Sequence, residues 1–164
     1  MAATSSGTAT VTLPTEDQIL ITREFDAPKH LVYKAYTTPE LVRRWWHAKR
    51  GEVTSCEIDL RVGGAWRYVM VTEDGTEVGF NGEYREIVPN QRIVSTEVYE
   101  GAPEADADPV LNTLTLTEAH GRTTLAILMQ APSKELRDTI IHSGMEDGLQ
   151  DALDLLEEIA VSLR

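Results

Sequence analysis

Bulky apolar side chains alternate with other side chains along residues 66–70, and this alternation is the clearest structural signal in the chain. Trp66, Tyr68 and Met70 fall at every second position, and Arg67 lies between the first two. Because successive side chains of a β-strand point to opposite faces, the three large groups share one face. The pattern predicts a strand that directs Trp66, Tyr68 and Met70 to the interior and Arg67 to solvent.

Similar apolar runs, separated by turn residues, continue along most of the chain. Glycine and asparagine at residues 75, 90 and 121 favour tight turns between strands. Short strands at this spacing are typical of an antiparallel meander. The predicted strands are 19–25, 53–59, 65–72, 78–88, 92–99, 111–117 and 123–130.

Apolar residues at helical spacing occur in two regions of the chain. After the first strand, Pro28 and Pro39 suit the first turns of two short helices. Residues 133–163 then have apolar side chains at every third or fourth position, which predicts one amphipathic helix about 45 Å long. Gly144 and Gly148 would share one face of it, each at a cost of about 1 kcal/mol relative to alanine. Either close packing against aromatic rings or cavity space beside the helix would explain them.

Together these elements predict an α+β fold. A curved antiparallel sheet of about six or seven strands would wrap around the long C-terminal helix, and two short helices would follow the first strand. Residues 1–14 are rich in Ala, Thr, Ser and Gly and are predicted to be a flexible tail. Residues 15–164 are predicted to form a single domain, because their length suits one core and no linker interrupts them.

The charge and cysteine content of the chain limit its partners and its compartment. The 164 residues carry a formal net charge of −12, which argues against nucleic acids and anionic membranes, since both attract basic surfaces. No apolar run reaches the roughly 18 residues of a spanning helix, and we see no secretory signal pattern. Cys56 is the single cysteine, which excludes an internal disulfide. We expect a cytoplasmic protein and leave a homodimer open.

Neither a metal site nor a bound cofactor is expected. A zinc site needs ligands at close and regular spacing. The histidines lack that spacing, and they are His30, His47, His120 and His142. Gly63-Gly64 is not followed by the further glycine and helix that a dinucleotide-binding loop requires.

Carboxylates on or near predicted strands are the candidates for acid–base chemistry. They are Asp59, Glu83, Glu86 and Glu97. A carboxyl group that faced an apolar interior would have a raised pKa and could act as a general acid. The alternative is an ion pair on the outer face with Arg67, Arg85 or Arg92.

Large and soft side chains in several elements are the candidates for a ligand-binding wall. Aromatic rings offer area, and methionine offers a wall that adapts to what it contacts. An interior with this lining suits a flat or aliphatic ligand, although a filled core would use the same side chains. The predicted ligand-binding residues are Trp45, Trp66, Tyr68, Met70, Phe80, Tyr84, Met129, His142, Met145 and Leu149.

Two motifs together resemble a known family. They are Asp59-x-Arg61-x-Gly63-Gly64-x-Trp66 and Gly82-x-Tyr84-x-Glu86-Ile87-Val88-Pro89-x-x-Arg92-Ile93-Val94. From about residue 19 to the C-terminus the chain resembles the SRPBCC superfamily, in the single-domain bacterial branch named after the activator of heat-shock protein 90 ATPase. The resemblance implies a helix-grip (START-like) fold, in which a curved sheet and a long helix enclose a deep pocket. It also implies binding of small hydrophobic molecules such as lipids.

The resemblance leaves three functions open. The first is binding of a small hydrophobic or aromatic ligand, with a role in stress as one option. The second is an enzyme of the cyclase, dehydratase or hydrolase type acting on a polyketide-like substrate, which an inward-facing carboxylate, histidine or tyrosine would favour. The third is a chaperone-regulating interaction, which an apolar patch on the outer sheet face would favour. A Gly-Trp pair is common early in the last helix of this branch, and here it is Gly144-Met145.

Overall fold

The computed structural model describes residues 8–101 and 108–164 of the chain. Within them lie eight strands and four helices, of which the last is the longest. No described helix has both the length and the apolar character needed to cross a membrane. In chain order the elements are β1 (Thr10–Thr12), β2 (Gln18–Phe25), α1 (Lys29–Thr37), α2 (Pro39–Val42), β3 (Gly51–Ile58), β4 (Ala65–Thr72), β5 (Glu77–Val88), β6 (Arg92–Tyr99), β7 (Val110–Ala119), β8 (Arg122–Gln130), α3 (Lys134–Ile141) and α4 (Met145–Ser162).

The strands form one antiparallel sheet in the order β1-β2-β8-β7-β6-β5-β4-β3. The predicted α+β class and antiparallel meander are therefore confirmed. The sheet gains one strand beyond the predicted six or seven because Thr10–Thr12, predicted to belong to a flexible tail, pairs with β2 instead. Next to this strand, both backbone groups of Ala9 are bonded to the side-chain amide of Gln150 on α4. Residues 1–7 lie outside the described residues.

Strand β4 has the predicted orientation. Trp66 and Tyr68 are each 8% exposed and belong to the core, and Met70 is half-buried against it. The side chain of Arg67 is 44% exposed and forms an ion pair with Glu100 at 2.8 Å. The alternation in the sequence therefore identified the inner face of this strand, the face that is turned towards α4.

The predicted single helix over residues 133–163 is wrong, because the chain breaks between α3 and α4. Ser133 does cap α3, and its hydroxyl accepts a hydrogen bond from the Leu136 amide at 3.1 Å. Gly144 is not inside a helix: it lies in the turn with φ +82°, a conformation that side chains with a Cβ rarely adopt. Gly148 is inside α4, but its Cα faces the Arg50 side chain rather than aromatic rings of the sheet.

Helix α4 packs closely on α1, and its buried side chains share one hydrophobic core with the inner face of the sheet. Leu153 and Leu156 of α4 are almost fully buried, as are Phe25 of β2 and Leu125 of β8 on the sheet. Each such side chain contributes about 1.5–3 kcal/mol through the apolar area that it removes from water. This apolar contact fixes the C-terminal part of α4 on the sheet.

A buried ion-pair network adds a polar link between β2 and α4. The side chain of Arg23 is 1% exposed and contacts Asp154 at 2.7 Å and Glu157 at 2.9 Å. The guanidinium also lies 5.2 Å from the ring centroid of Phe25. Because this cation is out of water, its partners must remain in place for the fold to be stable.

Candidate functional site

Between the inner face of the sheet and α4, a space that we call the groove, the side chains are less buried at one end. Antiparallel pairing brings the ends of β4, β6 and β8 and the starts of β5 and β7 to this end. The first half of α4 reaches it as well, since Arg50, directly before β3, contacts Asp151 at 2.8 Å. We call this end the groove mouth. Its half-buried side chains are Met70, Phe80, Glu97, Asn112 and Met129 from the sheet and Met145 and Leu149 from α4.

Aromatic rings line the groove on the side of β4 and β5. Trp46 packs edge-on against Tyr68 and Phe80, with ring centroids 5.5 and 5.8 Å apart. Trp66 packs against Tyr68 with centroids 4.9 Å apart. These contacts join side chains from two strands and from the segment after α2 into one apolar wall.

Trp45, a predicted ligand-binding residue, is not part of this wall. Its indole N–H donates to the Ala35 carbonyl at 2.9 Å, and its ring stacks on Tyr36 at 5.2 Å. Consecutive residues in a helical turn point about 100° apart, so only one of the two adjacent tryptophans can face the groove. That residue is Trp46, and Trp45 belongs to the packing between the short helices.

The back of the wall depends on a glycine. The indole N–H of Trp66 donates to the Thr96 carbonyl at 3.2 Å across β5. Gly82 lies between them, opposite Trp66 in the strand register. A Cβ on Gly82 would overlap the Thr96 carbonyl and come within 2.6 Å of the indole nitrogen. The absence of a side chain here is what lets the Trp66 ring lie flat on β5.

Tyrosine hydroxyls converge in the groove behind the mouth. Burial raises the pKa of Tyr36, Tyr68 and Tyr84 above the ordinary value, because it disfavours the charged phenolate form. Tyr68 also interacts electrostatically with the other two, and the Glu97 carboxylate raises the pKa of Tyr36 and Tyr68 further. None of the three hydroxyls is hydrogen-bonded to another described residue. The interior therefore contains polar groups that are free to contact a ligand.

Glu97 and Asn112 form the polar part of the groove mouth. The Asn112 Nδ2 group donates a hydrogen bond to Glu97 Oε1 at 2.8 Å. Burial raises the pKa of Glu97, and the hydrogen bond from Asn112 opposes part of that rise. The Asn112 Oδ1 atom is buried and accepts no hydrogen bond from any described residue.

The other candidate carboxylates point away from the groove. Their ion pairs are Asp59 with Arg61 at 2.9 Å, Glu83 with Arg85 at 2.9 Å and Glu86 with Arg92 at 3.1 Å. Glu97 is therefore the inward-facing carboxylate of the four considered. Within residues 8–101 and 108–164, no group of three His, Cys, Asp or Glu side chains is arranged to hold a metal ion.

The structure brings most of the predicted ligand-binding residues to one groove. Trp66, Tyr68 and Tyr84 are buried along its inner face, and five more surround its mouth. His142 is not among them, because it is exposed in the turn between α3 and α4. The break in the predicted helix explains this difference, since the turn rotates His142 away from the apolar stripe.

Sequence reasoning did not select Tyr36, Trp46 or Asn112. Tyr36 lies on the apolar stripe of α1 and could have been found from that pattern. Asn112 gives a weaker signal, as an amide that breaks the apolar alternation of β7 before Leu114 and Leu116.

Two surface clefts lie away from the groove. One, of about 470 Å³, lies between Arg50 and the turn that joins β4 to β5. The other, of about 310 Å³, lies beside the turn that joins β7 to β8 and includes Glu24 and His120. None of the predicted ligand-binding residues lines either cleft.

Solved structures of bacterial proteins share this architecture. A protein of Rhodobacter sphaeroides is 24% identical, covers 94% of this chain and 99% of its own, and superposes with a TM-score of 0.85. A protein of Nitrosomonas europaea is 22% identical over 92% of this chain and 98% of its own, with a TM-score of 0.80. A protein of Chromobacterium violaceum is 26% identical over 89% of this chain and 98% of its own, with a TM-score of 0.77. These likenesses support the α+β helix-grip fold.

The family assignment comes from the sequence as well as the fold. No curated protein matches the chain. The family described as Activator of Hsp90 ATPase homolog 1-like protein matches residues 26–160, which include α1, α2, the strands β3 to β8 and nearly all of α4. The chain therefore belongs to the family of Activator of Hsp90 ATPase homolog 1-like proteins.

Proposed function

We propose that the protein binds a small ligand with a hydrophobic or aromatic body in the groove between the sheet and α4. The observation that carries this proposal is the aromatic wall of Trp46, Trp66, Tyr68 and Phe80, which continues to half-buried methionines at an accessible end. Apolar pockets with a few polar groups are typical of small-molecule sites. Family membership supports the same reading.

Methionines at the groove mouth give the ligand a route into the groove. Met70, Met129 and Met145 are half-buried and pack against the core. Methionine has an unbranched side chain that changes rotamer at low cost, so these groups can move aside and then close on ligands of different shape. This arrangement favours a binder of moderate affinity, since the site offers apolar area but few fixed polar anchors.

An aromatic alcohol tests the proposal. We expect phenylbutanol to bind with micromolar affinity or weaker and to change the tryptophan fluorescence, because Trp46 and Trp66 lie in the wall. A fluorescence titration at fixed protein concentration gives the Kd. A linear response without saturation would remove the support for a groove site.

Met145→Trp should weaken phenylbutanol binding by about tenfold without unfolding the protein, because the larger ring takes up space at the groove mouth. Val161→Trp is the matched control, since Val161 lies on the exposed side of α4. The control should bind as the unaltered protein does. If Met145→Trp unfolds the protein, the region is a packed core, and if binding is unchanged, the ligand lies elsewhere.

Acid–base catalysis on the bound ligand is the second candidate function. The observation that favours it is the environment of Glu97. Burial raises the pKa of this carboxyl group, and it interacts electrostatically with Tyr36 and Tyr68. A carboxyl group whose pKa is raised holds its proton more firmly and can act as a general acid, as cyclisation or dehydration of a polyketide-like substrate requires. If Glu97→Gln abolishes turnover but still binds the ligand, acid–base catalysis by Glu97 is established. If the variant and the unaltered protein turn over the substrate equally, Glu97 is excluded from catalysis.

The chaperone-regulating alternative has no comparable support. It calls for a continuous apolar patch on the outer sheet face. Leu60 and Val62 share the connection between β3 and β4, and the other large exposed apolar side chains of the described residues come from different parts of the chain. They are Leu13, Tyr99, Leu111 and Val161.

A further inference from the structure

Two oxygen atoms at the groove mouth are free to accept hydrogen bonds. Glu97 Oε1 already receives the Asn112 amide at 2.8 Å, while its second oxygen is left for another donor. Asn112 Oδ1 is buried without a partner, which is costly unless a bound group supplies a hydrogen. A ligand that bonds to both of these oxygen atoms must present donors at its polar end.

The positive charges that are buried in the described residues are already used elsewhere. Arg23 contacts Asp154 and Glu157. Arg137 contacts the carboxylate of Asp138 and the carbonyl of Thr15. An anionic ligand in the groove would consequently meet the carboxylate of Glu97 without a matching cation, and like charges at short range repel.

Aromatic residues lie near Glu97 in the strand register. Phe80 pairs with Tyr99, two residues along β6 from Glu97. Trp46 packs against both Phe80 and Tyr68. The faces of such rings attract cations. A carboxylate next to aromatic faces is a combination that suits an ammonium group.

We propose that the groove mouth selects ligands by a protonated amine at their polar end, which donates hydrogen bonds to Glu97 and to Asn112 Oδ1 while the apolar body lies against the aromatic wall. This inference rests on the proposed binding function and adds the chemical class of the ligand. The isolated Glu97 carboxylate is disfavoured by burial, as its raised pKa indicates, and an ammonium partner offsets that cost.

A matched ligand series tests the inference. Phenylbutylamine, phenylbutanol and phenylbutyrate share one aromatic body and differ in the polar end, and isothermal titration calorimetry at one pH and salt concentration gives each Kd. We expect the amine to bind at least about tenfold more tightly than the carboxylate, with the alcohol between them. If none of the three binds, the proposed function itself fails. If all bind equally, or the carboxylate binds best, binding stands and the amine preference is refuted.

Two variants separate a specific contact from general attraction of cations by an acidic protein. Glu97→Gln should lower the preference for amine over alcohol by about tenfold, because it removes the charge that faces the groove. Glu83→Gln removes the same charge from the outer face, where Glu83 pairs with Arg85, and should leave the preference unchanged. Equal losses in both variants would overturn the inference. If Glu97→Gln does not fold, the order of the three ligand affinities for the unaltered protein decides whether the amine preference holds.

Discussion

Replacing Arg23 by alanine is expected to lower the free energy of unfolding by about 3–5 kcal/mol. The side chain of Arg23 is 1% exposed, and it holds Asp154 and Glu157 of α4 against β2. Glu157 also accepts a hydrogen bond from the Asp26 backbone at 2.8 Å, so one contact supports two parts of the chain. Without the guanidinium, the partly buried Glu157 carboxylate loses its counter-charge. Denaturation in urea measures the change.

Arg122→Ala is the matched control for this prediction. Arg122 also forms two ion pairs, with Glu24 at 3.7 Å and Asp26 at 3.6 Å, but its side chain is 36% exposed. Exposed pairs of this kind contribute about 0–1 kcal/mol. If Arg23→Ala lowers the free energy of unfolding by no more than Arg122→Ala does, the buried network does not hold α4 in place.

Gly82→Ala is expected to destabilise the protein by about 1–3 kcal/mol and to shift the tryptophan fluorescence. The added methyl group would overlap the Thr96 carbonyl, so either β5 and β6 separate or the Trp66 indole loses its hydrogen bond. Both responses disturb the aromatic wall. Urea denaturation followed by fluorescence reports the stability and the Trp66 environment in one experiment.

A glycine-to-alanine substitution in α4 should change the stability in the opposite direction. A Cβ on Gly148 would meet only Arg50, at 3.9 Å, which is ordinary contact. Alanine is better than glycine in a helix by about 1 kcal/mol, so Gly148→Ala should stabilise the protein. If Gly82→Ala stabilised the protein as much as Gly148→Ala, the predicted clash of an alanine side chain with β6 at position 82 would be contradicted.

The sheet was predictable because its signal is local. Alternation at Trp66, Tyr68 and Met70 identified the inner face of β4, and turn residues separated the strands. The break between α3 and α4 was missed because the apolar period continues across it: Ile141 before the turn and Leu149 after it both pack on the same core. Strand β1 was missed because Thr10–Thr12 gains its order from pairing with β2, which composition does not reveal.

The polar part of the candidate site was less predictable, because it depends on register. Strict alternation along β5 would place Glu86 on the same face as Tyr84. An irregularity between these two residues shifts the register, so Ile87 faces the core and Glu86 pairs with Arg92 outside. Glu97 follows Ile93 at period two along β6 and so shares its face, but Val94 and Thr96 on the other face are buried as well. Because both faces of β6 carry buried residues, the sequence pattern does not identify the inner one.

The central claim is that the groove between the sheet and α4 binds the ligand, and methyl NMR of methionine-labelled protein tests it most directly. Met70, Met129 and Met145 lie around the groove mouth, on three different elements. During a titration with phenylbutanol, we expect their methyl signals to shift in a saturable manner with the Kd found by fluorescence. If fluorescence reports binding while none of these three signals moves, the ligand occupies another place and the account of the groove is contradicted.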